Sequence, residues 1–356
     1  MPTDLELIER SISGERLDID GAVQLLTSKD SFLLLAQAAN IIRKKIHSDD
    51  VATFVIDRNI NYTNVCKCRC KFCAFWKDEK DEDAYVLSKE QIFKKIEETV
   101  AAAGTAILMQ GGLNPKLELD YYLDLIKSIK ERYDIHIHSF SPPEIAYIAS
   151  KSGLDVEQVL KQLKDAGLDS IPGGGAEILV DRVRNIISPN KISSEEWLYV
   201  MECAHKLGMK TTATMMFGHV ETYEERVLHM MKIRGLQDET GGFTAFIPWT
   251  FQPKNTELGG EEVGSVEYLK MLALSRLVLD NIKNIQASWV TQGIKVAAVA
   301  LSFGANDLGS TMLEENVVRA AGVVNKTSVD EMVYCIKNTG FKPAQRTPYY
   351  KIIRNF

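Results

Sequence analysis

Apolar positions follow two different rhythms along the chain. Residues 4–46 carry apolar side chains at helical spacing, with Leu25, Leu33, Leu34 and Ile41 among the candidate packing residues. From about residue 51, short runs rich in β-branched residues alternate with longer amphipathic stretches. Short runs of this kind are typical of buried strands, and the longer stretches are typical of helices. The pattern therefore predicts a helical N-terminal segment followed by repeated β–α units.

Eight strands are predicted in the repeating part. They cover residues 52–56, 106–109, 135–139, 170–172, 211–217, 243–250, 285–290 and 296–303. The predicted helices between them include 88–103, 117–132, 156–166, 193–207 and 266–281. Because alternating strands and helices form a parallel sheet, eight such units predict an α/β fold of the TIM-type (β/α)8 barrel kind.

The same pattern divides the chain into three predicted parts. Residues 1–50 form an N-terminal helical extension, 51–335 form the barrel, and 336–356 form a C-terminal tail packed on the barrel. A chain of 356 residues with 45% apolar side chains can bury one large core.

Composition limits the partners. A net charge of −6 argues against a broad nucleic-acid footprint. The N-terminus lacks the basic-then-apolar pattern of a signal peptide, and the apolar stretch 32–42 is too short to span a bilayer. We therefore expect a cytoplasmic protein with a small-molecule substrate, and with neither nucleic acid nor membrane as a partner.

The predicted barrel also locates the chemistry, because such barrels place their active sites in the loops at the carboxyl ends of the strands. Polar, often glycine-bearing loops follow the predicted strands at 64–75, 110–112, 139–144, 173–177, 218–222, 249–253, 289–293 and 304–309. This repetition predicts a large site at one end of the barrel.

Four cysteines lie within eight residues directly after the first predicted strand. Cys66, Cys70 and Cys73 have the spacing C-x3-C-x2-C, and Cys68 lies inside the three-residue gap. Thiolates are the usual ligands of iron–sulfur clusters, so three of them on one loop can hold three irons of a [4Fe–4S] cube. The fourth iron then has no protein ligand and is open to a small molecule.

A structural zinc site is the alternative for this loop, because Cys68 supplies a fourth thiol. Zinc sites usually join two separated ligand pairs, and the other cysteines, Cys203 and Cys335, are isolated in helical-looking segments. We therefore predict a cluster held by three cysteines, with Cys68 not needed as a ligand.

Three other motifs have two interpretations each. Gly111-Gly112 is either a tight turn or a close approach of the backbone to a ligand. His136 and His138 alternate on one strand and could hold the metal of a hydrolase, or they could be polar groups of the barrel interior. Trp249 and Trp289 are either core residues or walls for an aromatic substrate.

The cysteine loop, with Phe72 directly before Cys73, resembles the radical S-adenosylmethionine (SAM) superfamily. Longer segments resemble the dehypoxanthine futalosine cyclase family of the futalosine route to menaquinone. These segments are 57–64, 138–144, 173–182, 212–222, 246–253, 286–293 and 304–311. The cluster and glycine motifs are shared with aminofutalosine synthase and with deazaflavin (FO) synthase subunits, whereas 248–253 and 287–293 favour the cyclase. Cys68 departs from the family pattern.

This resemblance implies two cofactors, a [4Fe–4S] cluster and SAM, and an electron donor such as flavodoxin or ferredoxin. In the superfamily, SAM chelates the open iron, and one electron from the reduced cluster splits SAM into methionine and a 5′-deoxyadenosyl radical. The implied cofactor contacts are the cluster ligands Cys66, Cys70 and Cys73 and the SAM residues Phe72, Gly111, Gly112, Ser139 and Glu177. We expect a bulky residue at Gly112 to weaken SAM binding and to leave the iron content near normal.

The implied substrate is dehypoxanthine futalosine, from which the radical removes the C4′ hydrogen. The carbon radical adds to the carboxylated ring, and loss of one electron and one proton gives the spiro product. The implied substrate contacts are Trp249, Gln252, Trp289, Gln292 and Asn306. Candidate bases for the ring proton are Glu144, His138, His219 and Asp307, and candidate cations for the substrate carboxylate are Arg182 and Arg319. The sequence does not choose among them.

Overall fold

The computed structural model describes residues 2–356, in which the strands form two sheets. The strands are β1 (Val51–Val55), β2 (Asp57–Ile60), β3 (Ala106–Met109), β4 (His136–Ser139), β5 (Ser170–Ile171), β6 (Lys210–Phe217), β7 (Phe243–Thr250), β8 (Asn284–Ile285), β9 (Asp307–Ser310), β10 (Lys342–Arg346) and β11 (Ile352–Asn355). Strands β2 to β8 form a seven-stranded parallel sheet in chain order. The second sheet has the order β11, β10, β1, β9, in which only the pair of β10 and β11 is antiparallel.

Helices cover the outside of the strands and form the N-terminal segment. They are α1 (Asp4–Ser13), α2 (Ile19–Thr27), α3 (Ser31–Ile46), α4 (Lys89–Ala101), α5 (Leu119–Lys130), α6 (Pro142–Ser152), α7 (Val156–Ala166), α8 (Asp181–Ile187), α9 (Ser194–Lys206), α10 (Tyr223–Thr240), α11 (Ser265–Val278), α12 (Trp289–Gln292), α13 (Ile294–Ala300), α14 (Val317–Ala320) and α15 (Val329–Asn338). Within residues 2–356, no helix combines the length and the apolar character that a membrane crossing requires.

The two sheets close into one barrel because β1 runs on into β2 with only Ile56 between them. The N–H of Thr53 donates to the carbonyl of Asn306 at 3.0 Å, which places β9 against β1. The N–H of Ala287 donates to the carbonyl of Asp307 at 2.8 Å, which joins the chain after β8 to β9. The predicted barrel is confirmed. Its eight strand positions are filled by the β1–β2 segment and by β3 to β9.

The predicted helical N-terminal segment is present as α1, α2 and α3. Helix α2 packs on α10, and α3 packs on α11. The buried guanidinium of Arg43 on α3 donates to the carbonyls of Ala305 and Val51, both at 2.9 Å. Arg43 therefore links the N-terminal extension to the barrel at two places, the first residue of β1 and the chain just before β9.

The seventh predicted strand is wrong in extent, and the eighth is wrong in type. The strand predicted at 285–290 ends at Ile285, and the chain turns into α12 at Trp289. The run predicted as strand 296–303 is helix α13 followed by a 3₁₀ turn, because a short buried apolar run has no period that separates strand from helix. The closing strand is β9, whose sequence Asp-Leu-Gly-Ser carries no strand pattern.

The chain after β10 lies at the amino-terminal end of the barrel. Strand β10 pairs with the start of β1, from Val51 with Lys342 onward. The hydroxyl of Tyr349 then donates to the carbonyl of Asp169, the residue before β5, at 2.8 Å. Arg346, Tyr349 and Tyr350 consequently form the floor of the barrel interior.

Candidate active site

A cavity of about 310 Å³ occupies the barrel interior. Alternation along β2 turns Asp57 and Asn59 into it. Glu177 and Trp249 line the end where the strands finish, and Arg346 lies at the floor. A volume of this size is typical of a site for a small organic molecule.

The cysteine loop lies at the carboxyl end of β2 and is held by neighbouring loops. The N–H of Lys67 donates to the carbonyl of Leu113 at 3.1 Å, and that of Lys71 donates to Ile187 at 2.8 Å. The N–H of Leu113 in turn donates to the sulfur of Cys66 at 3.3 Å. The loop after β3 and the end of α8 therefore fix the cysteines from two sides.

The four thiols of this loop differ in their environments. Cys68 and Cys70 are buried and their sulfurs lie 3.4 Å apart, whereas Cys66 and Cys73 are half-buried. The hydrogen bond with Cys68 lowers the pKa of Cys70 to about 7, and burial raises the pKa of Cys73 to about 11. Since the thiolate is the metal-binding form, Cys70 is the thiol most ready to bind a metal centre.

Lys191 is a buried cation beside this loop that the sequence analysis missed. Its ammonium lies 4.8 Å from the centre of the Phe72 ring and 3.2 Å from Oε1 of Glu177. Burial opposes its charge, but Cys70 and Glu177 outweigh burial and raise the pKa of Lys191. A fixed positive charge thus faces the thiolates.

Glu177 has one carboxylate oxygen free at the cavity. Its Oε2 is buried without a hydrogen-bond partner among residues 2–356, and the guanidinium of Arg184 is 3.9 Å away. Its backbone has a φ of 38°, a left-handed conformation that is costly for a residue with a side chain. An unpaired buried acceptor of this kind suits a hydroxyl of a bound ligand.

The two glycines after β3 pack tightly against the cysteine loop. A Cβ on Gly112 would lie 2.2 Å from the carbonyl oxygen of Val65 and 2.7 Å from the Cβ of Cys66. A Cβ on Gly111 would lie 2.5 Å from the ring of Tyr62. Only glycine leaves room for these contacts. The two glycines therefore do more than form a tight turn, because they let their backbone approach the cysteine loop.

Gly112→Val should therefore lower iron binding as well as SAM binding, which changes the expectation from the sequence. The added side chain displaces the backbone at Val65 and Cys66 rather than only filling space beside a ligand. Iron and sulfide content per chain after anaerobic reconstitution measures the effect. Gly264→Val is the control, because nothing lies within 4 Å of a Cβ at that glycine and its φ of −69° is open to residues with a side chain. Full iron content in Gly112→Val would show that the loop tolerates the displacement.

The donor set fits a cluster better than a single ion. No three His, Cys, Asp or Glu side chains of the described chain, 2–356, converge as ligands of one metal ion. A cube takes each thiolate at a different iron, so its ligands are spread more widely than those around one ion.

The histidine pair of β4 is engaged with Ser170 instead. His136 Nε2 and His138 Nδ1 each lie 2.7 Å from the hydroxyl of Ser170. Burial lowers the pKa of His138 to about 3 and that of His136 to about 4. His138 lines the cavity as a neutral polar group.

The candidate base Glu144 is committed to structural hydrogen bonds. It accepts from the hydroxyl of Tyr62 at 2.7 Å, from the N–H of Gly111 at 3.0 Å and from both the N–H and hydroxyl of Ser141. It does not line the cavity, and its contacts instead fix the glycine loop. Ser139, a predicted SAM contact, donates its hydroxyl to the carbonyl of Met109 at 2.6 Å.

The candidate bases His219 and Asp307 are also occupied. His219 Nδ1 lies 2.9 Å from Oε2 of Glu221, and its side chain is buried away from the cavity wall. Asp307 accepts two hydrogen bonds from the guanidinium of Arg346, at 2.5 and 2.8 Å, and one from the hydroxyl of Thr53. Neither the imidazole of His219 nor the carboxylate of Asp307 belongs to the cavity wall.

The predicted substrate residues separate into two groups. Trp249 and Trp289 line the cavity, and the indole N–H of Trp289 donates to the carbonyl of Ser310 at 2.8 Å. The other three make hydrogen bonds inside the protein: Gln252 and Gln292 to Thr250, and Asn306 to Asn284 and Arg276.

Neither candidate cation for the substrate carboxylate lines the cavity. Arg182 is half-exposed and paired with Glu225 at 2.5 Å, and Arg319 is exposed on α14. Within the cavity wall the buried guanidinium is that of Arg346. This residue and Asp57 were missed because their placement depends on strands from opposite ends of the chain.

Comparison with known proteins gives two family matches. Residues 60–233 match the model described as radical SAM superfamily, and residues 240–355 match the CofH/MqnC C-terminal region. The first match contains the cysteine loop, Glu177 and Lys191, and the second contains Trp249, Trp289 and the floor of the cavity.

Two curated proteins are similar over nearly the whole chain. Cyclic dehypoxanthine futalosine synthase of Halalkalibacterium halodurans is 50% identical over 98% of this chain and 95% of its own length. The 5-amino-6-(D-ribitylamino)uracil–L-tyrosine 4-hydroxyphenyl transferase of Methanococcoides burtonii is 43% identical over 98% of this chain and 99% of its own.

The fold is similar to that of a solved structure. The crystal structure of methylornithine synthase (PylB) superposes with a TM-score of 0.75 and 19% identity, over 95% of this chain and 97% of that chain. At this identity the likeness concerns the fold alone.

Proposed function

The chain belongs to the radical SAM superfamily, in the family that includes cyclic dehypoxanthine futalosine synthases, and we propose that it cyclises dehypoxanthine futalosine. The observation that carries this proposal is the 50% identity to such a synthase across 98% of the chain. Identity to the hydroxyphenyl transferase is lower over the same span, at 43%.

The cysteine loop supports the cofactor part of the proposal. When bound, a [4Fe–4S] cluster and SAM supply a carbon radical that can remove one hydrogen atom from a substrate. Cys66, Cys70 and Cys73 would hold the cluster, and an electron donor of the flavodoxin or ferredoxin class would reduce it. Lys191 offsets the negative charge that three thiolates bring into a buried place.

Glu177 supports a SAM site beside the cluster loop. Its free Oε2 is an acceptor for a ribose hydroxyl, which would supply the hydrogen bond that this buried oxygen lacks. Lys191 holds the other oxygen at 3.2 Å and so fixes the direction of the free one. Gly111 and Gly112 would let the backbone of their loop approach the amino group of SAM.

The cavity supports a substrate with an aromatic ring. Trp249 and Trp289 offer flat apolar faces, and Ile247 and Met312 add apolar surface. Arg346, Tyr349 and Tyr350 line the floor of this cavity. Exclusion of water and of other hydrogen donors protects a carbon radical until it attacks its own molecule.

Deuterium at C4′ of dehypoxanthine futalosine should appear in 5′-deoxyadenosine if the proposal is correct. The residues of the chain hold C4′ near the attacking carbon, and reacting atoms need an approach of about 3–3.5 Å. The product should contain two hydrogens fewer than the unlabelled substrate. Anaerobic incubation of the cluster-loaded protein with SAM, a reductant and labelled substrate, followed by mass analysis, measures both.

Two outcomes would contradict the proposal. Turnover only with L-tyrosine and 5-amino-6-(D-ribitylamino)uracil would assign the chemistry of the transferase relative. Turnover only with a 3-enolpyruvyl benzoate ether would assign that of aminofutalosine synthase. A Cys70→Ala protein, carried through the same incubation, is the control for label transfer that does not depend on the cluster.

A further inference from the structure

Asp57 differs from the other carboxylates of the barrel because one of its oxygens faces the cavity unpaired. Its Oδ1 accepts a hydrogen bond from the hydroxyl of Ser310. Its Oδ2 has no hydrogen-bond partner among residues 2–356, and no cation there lies within salt-bridge distance. The side chain belongs to the cavity wall. This oxygen is therefore available to a bound molecule.

The neighbouring carboxylates are not available in this way. Glu144 and Asp307 are saturated by the hydrogen bonds described above. Glu315, also in the cavity wall, accepts from the N–H groups of Val317, Val318 and Arg319. Glu177 has a free oxygen, but it lies beside the cysteine loop and is held by Lys191.

A shared neighbour places Asp57 beside an aromatic wall of the cavity. Ser310 donates its hydroxyl to Asp57, and its carbonyl accepts the indole N–H of Trp289 at 2.8 Å. One residue thus fixes both side chains. Asp57 and Trp289 both line the cavity, so a molecule bound there can meet both side chains.

The charged and titratable groups that face Asp57 are Arg346 of β10 and Asp307 of β9, with His138 and Glu315 across the cavity. Burial raises the pKa of Asp57 to about 6, and Ser310 and Arg346 only partly offset this effect. A carboxylate with such a pKa is ionised at neutral pH and is still basic enough to accept a proton.

We propose that Asp57 is the general base that removes the ring proton during cyclisation, an inference that rests on the proposed function. After the C4′ carbon has bonded to the ring, the attacked ring carbon still bears its hydrogen. Asp57 takes this hydrogen as a proton, and the electron pair of the broken C–H bond stays in the ring. The one surplus electron would pass to a one-electron acceptor of the iron–sulfur class. The ring is then aromatic again.

Asp57→Asn should separate hydrogen abstraction from product formation. The amide keeps the size and the contact with Ser310 but cannot accept the proton. We expect 5′-deoxyadenosine labelled from C4′ to form as before, while cyclised product falls about 100-fold or more, the usual effect of losing a general base. Asp165→Asn, an exposed aspartate on α7, is the matched control and should keep the native ratio of product to 5′-deoxyadenosine.

The pH profile gives a test in the native protein. Its ratio of product to 5′-deoxyadenosine should fall as pH drops below about 6, because the protonated Asp57 cannot act as a base. The ratio in Asp57→Asn should be low and flat with pH, and Asp57→Glu should recover part of the product. If Asp57→Asn loses its iron or its fold, the pH profile of the native protein and the product recovered by Asp57→Glu test the role of Asp57 instead.

The outcomes separate this inference from the proposed function. A native ratio in a folded, iron-loaded Asp57→Asn overturns the role of Asp57 and leaves the cyclisation intact. A parallel loss of 5′-deoxyadenosine and product also overturns the role of Asp57 as a base, because such a loss indicates a role in substrate binding. No label transfer in the native protein overturns the proposed function itself.

Discussion

Replacing Cys66, Cys70 or Cys73 with alanine should each abolish binding of the iron–sulfur cluster, whereas Cys68→Ala should retain it. In the proposed ligand set, each of the three would supply the only protein ligand to one iron. Cys68 is only 2% exposed, and its sulfur lies 3.4 Å from that of Cys70, which makes it an alternative ligand by distance. Its position inside the C-x3-C gap nevertheless leaves the three-cysteine register intact.

Iron and sulfide content and the visible absorption of anaerobically reconstituted protein measure this effect. Cys203→Ala is the control, since this cysteine lies on α9, away from the loop. Loss of the cluster in Cys68→Ala with retention in one of the other three would show that the ligand set is wrong. Formation of 5′-deoxyadenosine should follow the iron content in every variant.

Arg346→Ala should lower the free energy of unfolding by about 3–5 kcal/mol, the usual cost of breaking a buried ion pair by removing one partner. Its guanidinium donates twice to Asp307, and both side chains are buried at the floor of the cavity. Without the arginine, Asp307 is left as a buried charge. The floor also loses the side chain that packs on the ring of Tyr350, 3.9 Å away.

Chemical denaturation of the cluster-loaded protein, with Arg10→Ala as the control, measures the cost. Arg10 pairs with Glu15 on the surface, where about half of each side chain is exposed, and such pairs contribute about 0–1 kcal/mol. Equal stabilities of the two variants would mean that the buried pair contributes no more than the surface one. Arg346→Ala combined with Asp307→Asn should regain part of the loss, because the unpaired charge is gone.

The barrel was predictable from sequence where strands have an apolar pattern and helices have caps. Ser88, Ser193 and Thr222 each make the reciprocal bonds of a capping box at the starts of α4, α9 and α10. Strand β9 was not predictable, because its side chains serve the interior as hydrogen-bonding groups: Asp307 binds Arg346, and Ser310 binds Asp57. A search for apolar runs therefore misses β9 and assigns the apolar run of α13 as the strand instead.

The site was predictable only where spacing along the chain carries the chemistry. The cysteine loop is local, so its register is visible in the sequence. The roles of Lys191 and Asp57 depend on what surrounds them after folding, and a lone lysine or aspartate in a polar segment has no such signal. Sequence proximity to a strand end also gave Glu144 and His219 as bases, although their hydrogen bonds are satisfied inside the protein.

The pairing of β1 has a consequence for the order in which the molecule folds. Strand β1 finds its partners in β9 and β10, and Val51 pairs with Lys342 near the other end of the chain. Closing so long a loop costs entropy before any contact repays it, and such non-local pairing slows folding. The cysteine loop has some of its partners much nearer in sequence, at Leu113 and Ile187. The floor of the cavity, in contrast, can form only at the end of synthesis, after Arg346 has left the ribosome.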